Sequence, residues 1–193
     1  MKLAVSETAR FLRPADRMRL IGVHEVAQRI FDWQDGGSLP RLDGLTAEGA
    51  TALYDALAAA LVRPNAPERR QLIVALTDGE DTISLLGVDA TKDIALRSDA
   101  VLHVIEPIDP KQKRRPTDPA LAAITSSTGG QIFPVTLADS LGDAFARALT
   151  EFRTSYVLRY VPQGVTRGGW HAIGVTIKGK PYEIRARKGY QGG

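Results

Sequence analysis

The sequence contains no cysteine and few aromatic residues. Cysteine is absent from all 193 residues, and Phe, Trp and Tyr together make up 6%. A disulfide framework, a thiolate zinc site and a cysteine nucleophile are therefore excluded. The three histidines, His24, His103 and His171, are isolated, and none has a histidine or acidic partner at a spacing typical of a metal site.

Long apolar runs are also missing. No run approaches the roughly 20 residues that a membrane-spanning helix needs, and the start at Met1 lacks the basic and then apolar pattern of a signal peptide. We therefore expect no membrane span and no signal peptide in this chain, and its compartment stays unknown. The P-loop, G-x-G-x-x-G, G-x-S-x-G and H-E-x-x-H motifs do not occur either.

The composition that remains is typical of a globular α/β protein. Hydrophobic residues make up 44% and charged residues 24% of the chain. At about 150 residues per domain, its length predicts one domain with a small appendage. Residues 1–150 carry 17 basic and 20 acidic side chains, whereas residues 151–193 carry 8 and 2. The basic side chains of the second part are spread along alternating segments, which favours a solvated sheet face and not a nucleic-acid partner.

The first half of the chain predicts a hairpin and a helix. Residues 18–23 (MRLIGV) and 26–33 (VAQRIFDW) predict a buried strand paired with an edge strand. Residues 3–12 have apolar side chains near helical spacing. Residues 46–51 open a stronger helix, which continues through ALYDALAAALV and ends before Pro64.

The second half alternates between strands and helices, which is typical of a parallel sheet. Residues 71–76 (QLIVAL) are apolar throughout, as expected of a central strand with helices on both faces. Asp89 is the expected N-cap of the following helix, and Asp118 with Pro119 begins another. The remaining predicted elements are strands at 100–105 and 131–135, helices at 88–98 and 139–152, and a solvated basic loop at 111–115.

After residue 152 the pattern changes to alternating apolar and polar residues. Residues 156–161, 172–178 and 182–187 predict three antiparallel strands, separated by segments rich in proline and glycine. They form an appendage to the α/β core.

Asp78 and Thr51 are the strongest candidate site residues. Asp78 follows the apolar strand directly, and Thr51 stands at the start of a helix. Because ligands bind at the carboxyl ends of parallel strands, we expect both side chains at the same sheet edge. The alternative is that Asp78 caps an Asp-Gly turn and Thr51 caps the helix. Asp78, Glu80 and Asp81 could also serve acid–base chemistry, but adjacent acids in one turn are more often solvated, and we expect no enzyme.

Three segments, in this order, resemble the von Willebrand factor type A (VWA) family: GATALYDAL (49–57), LIVALTDGEDT (72–82) and TGGQIFPV (128–135). FRTSYVLRYVP and IRARKGY, nearer the C-terminus, are similar to a bacterial subgroup that adds a C-terminal β unit. The resemblance runs over essentially the whole chain. It implies a Rossmann-like, mainly parallel sheet with helices on both faces in residues 1–152 and a β extension in residues 153–193.

The resemblance also implies a metal-ion-dependent adhesion site (MIDAS). In the family this site combines a D-x-S-x-S loop, a threonine that Thr51 matches and an aspartate that Asp78 matches. The loop and the central strand before it are absent here, and the chain begins where the family's first helix begins, as in an N-terminally truncated domain. One hydroxyl and one carboxylate are few ligands for a six-coordinate ion, so we expect Mg²⁺ or Mn²⁺ to bind weakly or not at all.

The leading hypothesis is a binding or adhesion module. In the family, an acidic side chain of a protein partner completes the coordination of the metal. The alternatives are a metal-free structural remnant, or a Mg²⁺-dependent phosphoryl-transfer enzyme using Asp78, which would need a second strand-end carboxylate and a lysine. Strands beside the missing one would have unpaired edges, so we expect the segment around Asp78 to pair there, or the chain to self-associate or stay partly unfolded. The subgroup is often exported.

Overall fold

Seven strands, four helices and a short helical stretch at residues 8–10 make up the regular structure of the described part of the chain. The structure is a computed structural model, and it describes residues 8–36, 49–62, 68–108, 117–136, 141–179 and 181–192. No helix within these ranges is both long and apolar enough to cross a membrane. The elements in chain order are β1 (Arg17–Val23), β2 (Ala27–Asp35), α1 (Leu53–Leu61), β3 (Leu72–Leu76), α2 (Val88–Arg97), β4 (Val101–Ile108), α3 (Pro119–Ser127), β5 (Ile132–Thr136), α4 (Leu141–Thr154), β6 (Trp170–Ala172) and β7 (Gly189–Gln191).

A three-stranded parallel sheet forms the centre of the fold, in the order β3-β4-β5. Leu72 pairs with Val101 on one side of β4, and Val104 pairs with Ile132 on the other. Helices α2 and α3 make the two crossovers that parallel neighbours require. The predicted α/β class with a parallel sheet is confirmed.

Helices cover both faces of this sheet. Ile73 and Ala75 of β3 pack into a cluster with the buried side of α1 and with α3, whereas Val74 and Leu76 pack into a second cluster with α4. Because successive residues of a strand point to opposite faces, the two clusters lie on opposite sides of the sheet. The apolar run in β3 therefore faces helices on both sides, as its composition predicts.

The β1–β2 hairpin is antiparallel and forms a separate sheet. Its register shifts on either side of Leu20, so the pairing is irregular. The predicted pairing of these two segments is confirmed. Helix α1 contacts both strands of the hairpin as well as β3, so it packs against both sheets.

One expectation about β3 is wrong. The apolar run predicts a central strand, but among the described strands β3 lies at the edge of the three-stranded sheet, with β4 as its one partner. Within the described residues no strand occupies its other side, and the segment around Asp78 forms turns instead of pairing there. An apolar strand sequence indicates that helices cover both faces of the strand, but it does not indicate how many strands pair with it.

The predicted cap of α2 is also wrong, and so is the alternative in which Thr51 caps a helix. Helix α1 begins at Leu53 with Ala52 at the N-cap position, so Thr51 lies outside the helix. Gly87 is the N-cap of α2, and Asp89 stands in its first turn, where a carboxylate favours the helix dipole. The prediction for α3 is confirmed, because the Asp118 side chain accepts the Ala120 N–H at 2.9 Å.

The C-terminal strands differ from their prediction. An antiparallel pair is present, but it consists of the short strands β6 and β7, and residues 156–161 and 182–187 are in no strand. An alternating pattern becomes a strand when its apolar side is covered, whereas Tyr156 is 94% exposed and Val161 83%. The segment returns to the core through Arg187, which pairs with Asp99 and donates to the Leu96 carbonyl.

Several predictions stay open. Residues 3–7 of the first predicted helix, most of the loop after β2, residues 46–48 of the predicted helix start, residues 139–140 and the basic loop at 111–115 lie outside the described residues. The division into residues 1–152 and 153–193 also stays a prediction.

His103 on β4 is a core residue, as its position within a strand predicts. It is 2% exposed, and its Nδ1 accepts the Gln131 N–H at 3.1 Å. Its ring meets Phe133 edge-on, with 5.3 Å between the centroids. Burial lowers the pKa of His103, against the Glu151 charge, which raises it, and together with the Arg185 charge, which lowers it. Because Nδ1 accepts an N–H, it carries no proton.

We expect Gly130→Ala to destabilise the fold by about 3 kcal/mol or more. A Cβ at Gly130 would overlap the Leu102 carbonyl, which is fixed backbone of the buried strand β4. Gly174→Ala is the matched control, because a Cβ there meets no atom within 4 Å. Its free energy of unfolding, measured by urea denaturation, should stay within about 0.5 kcal/mol of the parent chain. Equal effects of the two substitutions would contradict this packing.

Candidate functional site

The loop that follows β3 meets the start of α1 at the carboxyl edge of the sheet. The Thr51 N–H donates to Thr82 Oγ1 at 2.7 Å, and the Thr82 N–H donates back to the Thr51 carbonyl at 2.9 Å. The next amide, that of Ala52, donates to the His24 carbonyl just after β1 at 2.8 Å. Thr51 is therefore held between the hairpin and the loop that begins with Asp78.

Asp78 is exposed at the start of this loop. Its Oδ1 accepts the Glu80 N–H at 3.3 Å, and Gly79 between them has a φ of 88°. A positive φ suits glycine, so the Asp-Gly pair makes the sharp turn that its sequence predicts. The structure thus brings the Thr51 backbone to the loop of Asp78. Coordination of one ion by both side chains stays a prediction.

Asp81 caps helix α1 although it lies 28 positions after Leu53 in the sequence. Its Oδ1 accepts the Leu53 N–H at 2.8 Å, the Tyr54 N–H at 3.2 Å and the Ser84 hydroxyl at 2.5 Å. The N-cap residue of α1 is Ala52, which has no side-chain acceptor to offer. A carboxylate at a helix N-terminus satisfies free amides and favours the dipole, so Asp81 supplies the cap that the local sequence lacks. No local pattern marks this role.

Asp55 binds the same loop from the helix side. Its two carboxylate oxygens accept the Leu85 N–H at 3.0 Å and the Leu86 N–H at 2.8 Å. In return, the Asp55 N–H donates to Ser84 Oγ at 3.2 Å. The first turn of α1 and residues 81–86 are therefore joined in both directions, and the loop is fixed although it has no regular secondary structure.

Tyr54 links α1 to α3 at this edge. Its hydroxyl donates to Asp118 Oδ2 at 3.0 Å, while Asp118 Oδ1 caps α3. Burial raises the pKa of Tyr54, and the hydrogen bond to Asp118 and the charges of Asp118 and Asp81 raise it further, to about 12. The phenol is therefore a neutral donor, locked in place between the two helices.

The carboxylates at this edge are mostly engaged by backbone amides. Asp81, Asp55 and Asp118 each accept N–H groups of a helix or of the loop. Within the described ranges, no group of three or more His, Cys, Asp or Glu side chains is arranged to hold a metal ion. Thr51 and Asp78 alone offer one neutral oxygen and one carboxylate, which is a poor fit to the six oxygen ligands of Mg²⁺.

Solved structures of other proteins share this architecture. A von Willebrand factor type A protein from Catenulispora acidiphila matches 76% of the chain at 18% identity, with a TM-score of 0.61. The fold is that of a VWA domain. The conserved hypothetical protein BatB from Bacteroides thetaiotaomicron matches 80% of the chain and 87% of its own length at 18% identity, with a TM-score of 0.56.

The likeness is one of fold. The chain spans 36% of the length of the Catenulispora protein. Its sequence matches no family model, and no match was found among curated proteins. The resemblance carried by GATALYDAL and LIVALTDGEDT is confirmed at the level of the fold. Asp81, which these motifs include, was not among the expected metal ligands, and its role as a remote helix cap is visible only in three dimensions.

We expect Asp81→Ala to lower the free energy of unfolding by about 1–2 kcal/mol, because two amides of α1 lose their acceptor. Asp81→Asn is the control, since its side-chain oxygen can still cap the helix without the charge, and it should lose less than Asp81→Ala. Urea denaturation followed by circular dichroism measures both. A loss of equal size in the two variants would show that charge, and not the cap, is what Asp81 contributes.

We expect one tyrosine to titrate with a midpoint near pH 12, the pKa of Tyr54. Ultraviolet absorbance of phenolate should lose this step in Tyr54→Phe, and Asp118→Asn should move it to lower pH. The unfolded pKa of tyrosine is about 10. The contribution of neutral Tyr54 to stability is therefore complete below pH 10 and is lost as the pH rises toward 12. A step unchanged by Asp118→Asn would contradict the assigned hydrogen bond.

Proposed function

We propose that this chain is a protein-binding module that uses the carboxyl edge of its parallel sheet. The observation that carries the proposal is the loop of residues 81–86, called the braced loop, which is fixed by hydrogen bonds and has an exposed apolar tip. Residues 81–86 are tied to α1 by the Asp81 and Asp55 carboxylates, yet Leu85 is 95% exposed and Ile83 43%. A loop that is already ordered loses little entropy on binding, and an exposed leucine on it gains apolar contact.

The VWA-like fold supports the same proposal. Ligands of open parallel sheets bind at the carboxyl ends of the strands, and Thr51, Asp78 and the braced loop are at that end. The resemblance to the VWA family adds the expectation of a protein partner that approaches this edge. Catalysis is not part of the proposal, because the Asp55, Asp81 and Asp118 carboxylates serve as acceptors for backbone amides.

We propose further that a divalent cation contributes little to this module as it stands. The support is the donor set: Thr51 and Asp78 match two positions of the family site, the D-x-S-x-S loop is absent, and Asp81 is occupied by α1. Mg²⁺ loses its hydration shell reluctantly, so one hydroxyl and one carboxylate compete poorly with water for it. When bound in the family site, the cation supplies a coordination position for an acidic partner side chain.

The interaction can be tested with three variants. The chain is used as bait, the captured protein is identified and purified, and its Kd is measured by titration. Leu85→Ala and Asp78→Ala should each weaken binding about tenfold, or about 1.4 kcal/mol. Val62→Ala is the matched control, because Val62 is exposed at the opposite end of α1, and its Kd should not change. Equal effects of all three substitutions on Kd, or no effect of any of them, would contradict binding at this edge.

The role of the cation is tested by thermal unfolding. Because an ion that binds the native state raises its stability, Tm should rise with millimolar Mg²⁺ or Mn²⁺ only if a site exists. We expect no rise in this chain and recovery of binding when a D-x-S-x-S strand is added upstream. A rise that Asp78→Ala abolishes would show that the two-ligand site is sufficient. A rise that survives Asp78→Ala would place the ion elsewhere, for example at Glu80 and Asp81.

A further inference from the structure

The last part of the chain lies along the amino edge of the parallel sheet, at the opposite end from the candidate site. Strands β3, β4 and β5 run in the same direction, so their starts share this edge. The Lys188 N–H donates to the Ser127 carbonyl, at the end of the helix before β5, at 3.4 Å. The Arg70 guanidinium, just before β3, donates to Ser155 Oγ at 2.5 Å. Residue 156 therefore follows a residue that is anchored at the amino edge.

Residues 156–161 (YVLRYV), here called the exposed segment, place large apolar side chains in solvent. Leu158 is 70% exposed, and Tyr156 and Val161 are exposed still more. The segment belongs to no strand or helix. Globular proteins seldom expose a run of large apolar side chains, and such a run marks a surface that binds something.

Aromatic contacts fix the far end of the exposed segment. The Tyr160 ring meets the ring of Tyr190 in β7 edge-on, with 6.2 Å between the centroids. Tyr190 in turn stacks on His171 of β6, at 5.1 Å. A tyrosine has an apolar ring and a polar hydroxyl, and it is favoured at the boundary between lipid and water.

Basic side chains lie beside the exposed segment. A cavity of about 400 Å³ borders it, and the described residues that line this cavity include three arginines and one acid. They are Glu68, Arg69, Arg70, Val157 and Arg159. Two of these arginines are held by the backbone of other segments, since Arg69 donates to the Ala15 carbonyl and Arg70 to the Phe152 carbonyl. The guanidinium groups are therefore positioned in advance for an anion.

Charge differs between the two edges of the sheet. Near the exposed segment, Arg167 stands three positions before β6 and Lys188 directly before β7, and both are exposed. The carboxyl edge carries the acidic loop of Asp78, Glu80 and Asp81 instead. The amino edge is thus the one that attracts a polyanion.

The side-chain types select one polyanion. A single-stranded nucleic acid stacks its bases on aromatic rings and does not need aliphatic side chains. The exposed segment presents Val157, Leu158 and Val161 as well as its tyrosines. Aliphatic, aromatic and basic side chains together are typical of a surface that enters the boundary between the headgroups and the acyl chains of an anionic bilayer. A second copy of the chain would bring like charges together at Arg159.

We propose that the amino edge of the sheet binds the surface of an anionic lipid bilayer. The exposed segment enters the headgroup region, and the arginines of the cavity bind lipid phosphates. Because the two edges of the sheet lie at opposite ends of its strands, the braced loop then faces away from the bilayer, toward a protein partner. The lipid site is separate from the site of the proposed function and does not depend on it.

The first test mixes the full chain with vesicles and measures the bound fraction by sedimentation. Vesicles of phosphatidylcholine with about 30% phosphatidylserine should bind the chain saturably, about tenfold more tightly than vesicles of phosphatidylcholine alone. Binding should weaken as the salt concentration rises, because salt screens the basic side chains. Equal binding to the two kinds of vesicle, or no binding to either, would overturn the proposal.

Matched variants locate the surface. Val161→Asp and Arg159→Glu should each weaken vesicle binding about tenfold, because they remove an apolar contact or reverse a charge at the membrane. The controls are Val26→Asp and Arg29→Glu on the β1–β2 hairpin, which change exposed residues of the same types and should leave vesicle binding unchanged. Circular dichroism should show all four variants folded. Equal losses in variants and controls would overturn the proposal.

The orientation on the bilayer gives an independent test. Because the chain has no cysteine, Tyr156→Cys and Leu85→Cys can each be labelled with a fluorophore that shifts to the blue in an apolar medium. Vesicles should shift the emission of the label at residue 156 and not at residue 85. A shift at residue 85 would overturn the proposed orientation. Tighter binding of a single-stranded oligonucleotide than of vesicles, lost in Val161→Asp, would overturn the proposal in favour of nucleic acid.

Discussion

Strand β4 is the element on which the rest of the fold depends. Within the described residues it is the strand that pairs on both sides, and its side chains enter both apolar clusters. Its pairing with β5 begins at Val104, so the Leu102 N–H would lack a ladder partner. The Thr128 hydroxyl accepts this N–H at 3.0 Å, and Gly130 passes against the Leu102 carbonyl. The turn before β5 therefore completes the sheet where the strand falls short.

The carboxylates of Asp55, Asp81 and Asp118 at the candidate site stabilise backbone. Asp81 and Asp118 cap α1 and α3, and Tyr54 joins the two caps through a phenol that stays neutral. An oxygen that already accepts two or three donors, as Asp81 Oδ1 does, has little capacity left for a cation. The same hydrogen bonds make the loop rigid, which suits the binding role proposed for it.

Local sequence patterns predict the parallel strands well. LIVAL and AVLHVI are apolar because helices cover both faces, and the Asp118–Pro119 pair marks the start of α3 through its own chemistry. The remote cap is invisible to such patterns, since Asp81 and Leu53 are 28 residues apart. The strand predicted at residues 156–161 is wrong for a related reason. An alternating pattern gives a strand only when another element covers its apolar side, and the exposure of Tyr156 shows that no described element covers this one. Thr51 and Asp78 are predicted side by side at the same edge. The Thr51 N–H reaches Thr82 in the loop that begins with Asp78, and the meeting of the two side chains stays a prediction.

The long-range contacts of Arg153 and Arg187 affect when the chain can fold during its synthesis. Arg153 reaches the Phe11 carbonyl across 142 positions, and Arg187 pairs with Asp99 and covers the Leu96 carbonyl at the end of α2 across about 90. Ribosomes deliver the N-terminal part first, at about 5–20 residues per second. The segment before β1 therefore waits for Arg153, and helix α2 waits for Arg187. The last of these contacts forms only once residue 187 has been synthesised, so the earlier part of the nascent chain is open to chaperones and proteases until then.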